Sequence, residues 1–410
     1  MLKNEISEKF SALNQVIKVT RQEVEKGLEL HRRSIVCDSL CRDPEIISVK
    51  LSNVISEMLD AGKPLHEIRS KINKLRNDEL LYDTQTKTEY VEYWRRSGVT
   101  CISKTLSSDD IQSALNAIAF ENLKFDKLRD VVSRATRAED IKRAKQDGKH
   151  AILWNHQNTM LIEQRNMGLE TLDFLYGLGV RIIQLTYNLR NLAGDGCTER
   201  YQSGLSNFGL KIIERMNKLG ILIDASHCGI QTTFDAIEAS NKPIAFTHTG
   251  CKTVFNHPRC KNDEQIQALA EKGGYIGIFT LPFFLGYPAR EKGTLKALLD
   301  HIDHAVEIAG VDHVGIGTDT GVESRRSKRL AELSTEEINK VDFVPHRFWR
   351  GWKPEHNIDV GLDPIPDNWA QSWVNWPNIT IGLASRGYSN TEIQGIIGGN
   401  FLNILERVIG

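Results

Sequence analysis

The sequence predicts an α/β fold, a TIM-type (β/α)8 barrel with an N-terminal helix, a helical insertion after strand 1 and a C-terminal helical extension. Three observations carry this. Eight short apolar runs recur along the 410 residues. Helical patterns such as LSNFGLKIIERMNKLG and LKALLDHIDHAVEIAG separate most of them. Several runs follow a glycine that marks a helix end, and several stop abruptly in polar residues.

Residues 3–33 are rich in Glu and Lys and read as one amphipathic helix, so residues 1–33 are taken as a helical appendage to a barrel over 34–410. SIVCDS (34–39) is the first strand. The charge-rich helical region that follows, about 44–90, is too long for an ordinary βα loop and reads as an insertion. GVTCISKTL (98–106), HAILWNHQN (150–158), GVRIIQLTYN (179–188) and GILIDASH (220–227) are the next four strands. PIAFTHT (243–249), GGYIGIFT (273–280) and DHVGIGTD (312–319) complete the eight. The irregular stretch 321–378 holds Trp349, Trp352, Trp369, Trp373 and Trp376. It is expected either to cover the barrel mouth or to pack against the outer helices. NTEIQGIIGGNFLNILERV closes the chain as a helix.

Composition narrows the function. Apolar residues make up 40% and charged residues 26%, and the net charge is −1. That balance gives no basic surface for nucleic acid or a membrane. The N-terminal stretch is charged throughout and lacks the apolar core of a secretory signal. Seven cysteines without a disulfide-like framework fit a reducing compartment, so a cytoplasmic location is expected. Cys37 and Cys41 form the one close pair, with no second Cys or His cluster to support a metal role.

In barrels of this kind the chemistry sits at the C-terminal strand ends. Read in order, those ends offer Asp38, then Asn155, His156 and Gln157, then Tyr187 and Asn188. Asp224, Ser226 and His227 follow, and the last three strands give His248, Thr280 and Asp319. Two histidines on adjacent strands plus an acid suit a divalent metal. A single histidine of this kind is more often a hydrogen-bonded core residue; the joint position of His227, His248 and Asp319 is what points to a site. His301, His304 and His313 lie on or beside the helix before the eighth strand and read as structural.

TYNLRN (186–191), GDGCTER (194–200), SHCG (226–229), THTG (247–250), HPRCKND (257–263), GIGTD (315–319) and RGYSNTEIQGIIGGNFL (386–402) resemble the membrane dipeptidase (peptidase M19) family, in that order. The resemblance implies a metal-dependent (β/α)8 barrel that cleaves dipeptides at a binuclear zinc centre, often as a homodimer. It implies that His227 and His248 hold one zinc and that Asp319 handles the proton during hydrolysis. It makes Arg259 the anchor for the substrate carboxylate, a role suited to a planar guanidinium. Tyr187 stands where classical members have a histidine near the scissile carbonyl, and a phenol could donate to a developing oxyanion. Gln157 and Asn188 are taken as further substrate contacts.

The chain also departs from the family pattern. The metal-binding His-x-Asp pair that should close strand 1 is replaced by Leu40 and Arg42, and the bridging glutamate of strand 3 by Gln157. A neutral amide and an arginine cannot hold two dications together. The expectation is therefore one zinc per chain at most, or none, with Asp38 and Asp43 as the available substitutes. The leading reading is a hydrolase of a dipeptide or small amide bearing a free carboxylate. The alternatives are a drifted, metal-free enzyme acting on an amino-acid-derived carboxylate, and a non-catalytic binding protein.

Overall fold

The structure is a computed structural model that describes residues 2–106, 111–163, 168–286, 294–320, 323–325 and 373–410. Eight parallel strands form the barrel: β1 (Cys37–Cys41), β2 (Cys101–Thr105), β3 (His150–His156), β4 (Val180–Gln184), β5 (Leu222–Asp224), β6 (Ala245–Thr249), β7 (Tyr275–Ile278) and β8 (Val314–Ile316). Every one overlaps an apolar run of the sequence, β1 (Cys37–Cys41) being shifted toward the C-terminus of its run at 34–39. Each strand pairs with the next in sequence order, as right-handed βαβ units require.

Closure between β8 and β1 rests on few bonds. Asp319 N donates to Leu40 O at 2.8 Å and Arg42 N to Thr320 O at 3.1 Å. Side chains reinforce the seam: Asp38 accepts from Thr318 N (2.8 Å) and Thr318 Oγ1 (2.6 Å). Inside the barrel, Ser39 Oγ reaches both Thr247 O (2.6 Å) and Ile316 O (2.9 Å), tying strands across the interior.

An extra strand, Val132–Ala135, was not foreseen; its four residues include a charged Arg134 and sit between helical patterns. It pairs with the first half of β3, and the register shifts at Trp154 so that the second half pairs with β4.

The helix expected over 3–33 is two helices, Leu2–Leu13 and Arg21–Arg33. The break is capped by Thr20, whose side chain and Glu23 form a capping box. The second helix buries Val24, Leu28 and Leu30. It crosses the C-terminal helix Trp376–Ser385 closely, since a Cβ on Gly27 would lie 2.6 Å from Ile381 Cα. His31, buried, bridges Thr380 Oγ1 and Ser97 O at 2.8 Å each.

The insertion consists of helices Val49–Asp60, Leu65–Tyr82 and Thr84–Ser97. A buried ion cluster joins it to the barrel: Lys104 and Lys124 each pair with both Asp43 and Glu121, and Tyr90 donates to Asp43. Most of the Trp-rich segment 321–378 lies outside the described residues. Of its tryptophans, Trp373 and Trp376 are described and buried, and their indole N–H groups donate to Asp38 at 3.3 and 3.1 Å. No helix among the described residues is long and apolar enough to cross a membrane.

Candidate active site

Backbone conformation marks the site first. Among the described residues, Asn188 (φ 59°) and Asp319 (φ 55°) are the two non-glycine residues with left-handed backbone. Both lie just beyond strand ends at the mouth, β4 and β8. Strain of this kind persists where surrounding contacts over-determine it, and it concentrates at functional sites.

His227 and His248 are buried and face one another, Nε2 to Nε2, at 2.9 Å. The Tyr187 ring stacks on His227 with centroids 4.2 Å apart. The partners behind the two rings decide which nitrogens carry protons. Asp224 accepts from Ser226 N and Thr247 N and from both hydroxyls, Ser226 Oγ at 2.5 Å and Thr247 Oγ1 at 2.6 Å. With its hydroxyl proton given to Asp224, Thr247 Oγ1 accepts from His248 Nδ1, 2.9 Å away. Asn188 Oδ1 accepts from His227 Nδ1 at 2.7 Å. With both Nδ1 atoms donating in this way, the two Nε2 atoms are left to face each other.

In that state the pair can take up a cation. Burial first, and then the Arg259 charge, hold both imidazoles well below the usual histidine pKa, so the pair stays neutral. A divalent metal suits the donor set, since it needs deprotonated Nε2 donors and hydrogen-bonded Nδ1–H groups behind them; with Zn–N bonds of about 2.0–2.1 Å the two Nε2 atoms would open beyond 2.9 Å to seat it. Among the described residues, no group of three His, Cys, Asp or Glu side chains is placed to hold a metal. An ion held there would therefore draw its remaining ligands from water or substrate.

The other acids do not fill the gap. Asp38 is spent on Thr318 and the two indoles, and burial raises its pKa to about 6. Asp43, despite burial, is held far below the usual carboxylate range by Lys104 and Lys124. Leu40 is buried, and the Gln157 amide donates to Thr105 Oγ1 at 2.8 Å, toward β2. Gln157 is thus turned to its neighbouring strand.

Asp319 is partly buried, and desolvation lifts its pKa to about 6 against the pull of Arg259 and Arg42. A carboxylate poised there can accept a proton near neutral pH and return it. Burial, then the Asp319 charge, push the Tyr187 phenol well above its usual pKa, so it stays a donor.

Arg259, expected as a carboxylate anchor, also carries structure. A loop residue after β6, it is fully buried. Its guanidinium donates to Ser226 O (2.7 Å) and His248 O (3.0 Å), the backbone beside both imidazoles. Its Nε–H is buried without a partner. That leaves one donor edge open for a ligand carboxylate while the rest is structural.

The sequence reading missed Lys261, Thr247 and Cys197. Lys261 and Thr247 are buried and bonded to the histidine strands, and Cys197 N donates to His227 O at 2.8 Å. The Cys197 loop can lie so close because a Cβ on Gly196 would run into the backbone of Asn188.

Residues 30–336 match the family described as membrane dipeptidase (peptidase family M19). Dipeptidase verJ of Clonostachys rogersoniana is 35% identical over 196 residues, 47% of this chain and 48% of that protein. An uncharacterized dipeptidase of Schizosaccharomyces pombe is 30% identical over 239 residues, 57% of this chain and 55% of that protein. The chain thus spans about half the length of the curated relatives it matches. Among solved structures, an amidohydrolase from Pseudomonas aeruginosa superposes with a TM-score of 0.69 at 27% identity, covering 93% of this chain and 98% of the other.

Proposed function

Because the chain belongs to the membrane dipeptidase family, peptidase family M19, we propose that it hydrolyses a dipeptide or related small amide with a free carboxylate, using one zinc ion seated on His227 and His248. The observation that carries this is the pair of Nε2 atoms facing each other at 2.9 Å. A bound zinc supplies Lewis-acid polarisation of the scissile carbonyl and of a water molecule.

The chain's own residues do the rest. The open Nε edge of Arg259 takes the terminal carboxylate and fixes the substrate's register. Asp319 accepts the proton of the attacking water as it adds to the carbonyl carbon. It then delivers that proton to the amine as the C–N bond breaks. The Tyr187 phenol, kept protonated, donates to the carbonyl oxygen as negative charge develops. Asn188 and Thr247 hold the two imidazoles in the required tautomers. A reducing cytoplasm belongs to the same reading, supported by seven cysteines that are all free thiols, and the homodimer follows from the family resemblance alone.

Paired dipeptides with a free or an amidated C-terminus test it. Hydrolysis of the free acids is expected, with amides about 10–100-fold poorer, as loss of one charge-assisted hydrogen bond implies. The kcat/KM should fall as pH drops through about 6, where Asp319 takes up its proton. Equal cleavage of acids and amides, or no cleavage of any dipeptide, would overturn it.

A further inference from the structure

We propose that Lys261 is a positioning residue of this site: with Arg259 it forms a two-cation clamp on the backbone either side of His227, and that clamp holds the two imidazoles face to face. Only its zinc-affinity readout rests on the metal reading given above.

The HPRCKND loop leaves β6 and returns along it. Lys261 N donates to Gly250 O (2.9 Å), Lys252 N to Lys261 O (2.8 Å), and Thr249 Oγ1 to Arg259 O (2.7 Å). Asn262 then caps the helix Asp263–Glu271 with a capping box to Gln265. Pinned at both ends, the loop sends two cations, two residues apart, into the molecule. Arg259 takes Ser226 O and His248 O. Lys261 Nζ takes Cys228 O at 2.8 Å and Thr233 Oγ1 at 3.1 Å, and sits over the Phe246 ring at 4.9 Å. The carbonyls before and after His227 are each held by a buried cation, and one of those cations also holds the carbonyl of His248.

An ammonium in this place is costly. Lys261 is 2% exposed, and burial lowers its pKa to about 8. A methionine would fill the same space without the desolvation cost. What the ammonium adds is direction. It ties the turn after β5, the helix Ile230–Ala239 through Thr233, and β6 through Phe246. A small rotation of the 226–228 turn would swing His227 Nε2 away from its partner, and outer partners of this kind typically change metal affinity about 10–100-fold.

The test is Lys261→Met, with Lys261→Gln as the conservative variant, each read by zinc affinity in chelator competition and by thermal unfolding. The expected result is about a 10–100-fold loss of zinc affinity in Lys261→Met at little change in Tm, with Lys261→Gln, whose amide still donates, between it and the parent. Unchanged affinity in a folded Lys261→Met overturns the proposal. So does failure of both variants to fold, which would assign Lys261 to stability alone. If the parent protein binds no zinc, the metal reading fails by itself, and the clamp is read instead from the imidazole 15N signals of His227 and His248. Lys261→Met should then change the tautomer populations of the two rings, and identical spectra overturn the proposal.

Discussion

Asp319→Asn is expected to lower kcat by about 10²–10⁴-fold, the range for removing a general acid–base group, while making the protein more stable at pH 8. The second half follows from the carboxyl's environment. Desolvation raises its pKa from 3.8 to about 6 in the folded state. Protonated Asp319 therefore favours folding below about pH 4, and that contribution is lost as pH rises through about 6. At pH 8 the folded protein carries a carboxylate it disfavours, by about 1–2 kcal/mol once partial exposure is allowed for. Asparagine removes that charge, and a polar residue tolerates the left-handed backbone there (φ 55°). Urea unfolding at pH 4 and pH 8 checks it: the gain should be present at pH 8 and absent at pH 4. Activity within tenfold of the parent would remove Asp319 from the chemistry.

Arg259→Ala should damage fold and function together. Its position in a loop suggests a tolerant site, yet the guanidinium is fully buried. Its loss strands Ser226 O and His248 O, two buried acceptors next to the site's imidazoles. Leaving such groups unpaired costs about 1–3 kcal/mol each, so a total of about 2–5 kcal/mol is expected in urea unfolding. Arg259→Lys should recover part of the stability, because an ammonium can reach one carbonyl but cannot reproduce the planar fork. Both variants should lose the preference for a free over an amidated C-terminus. Parent-like stability in Arg259→Ala would contradict the clamp, and a retained carboxylate preference would contradict the ligand edge.

The barrel was legible because its strands are local signals. Runs such as GILIDASH and PIAFTHT are short, apolar and bounded, and periodicity alone places them. The break at Thr20 carried a readable sign too, the Thr-x-x-Glu capping box, but the Glu- and Lys-rich pattern on either side masks it. The histidine pair and Asp319 were legible as strand-end residues within a family pattern.

What could not be read depends on contacts between distant residues. Nothing in CDSLC says that Asp38 will be covered by Trp373 and Trp376 from the far end of the chain. A lysine in HPRCKND reads as solvated charge, and only the folded loop shows Lys261 buried beneath His227. Arg259 reads in the sequence as a carboxylate anchor alone, and its hold on two carbonyls is invisible until β5 and β6 lie side by side. Asp43 read as a spare metal ligand because the sequence separates it from Lys104 and Lys124, which neutralise it.

The most direct test is the zinc content of protein purified in trace-metal-free buffer, reconstituted with zinc and dialysed, measured beside His248→Ala. A single ion seated on His227 and His248 predicts one zinc per chain in the parent and none in the variant. Two zinc ions per chain would contradict the reading of Leu40, Arg42 and Gln157 as a lost half-site. No zinc in the parent, or one zinc retained in His248→Ala, would contradict the histidine pair as its seat.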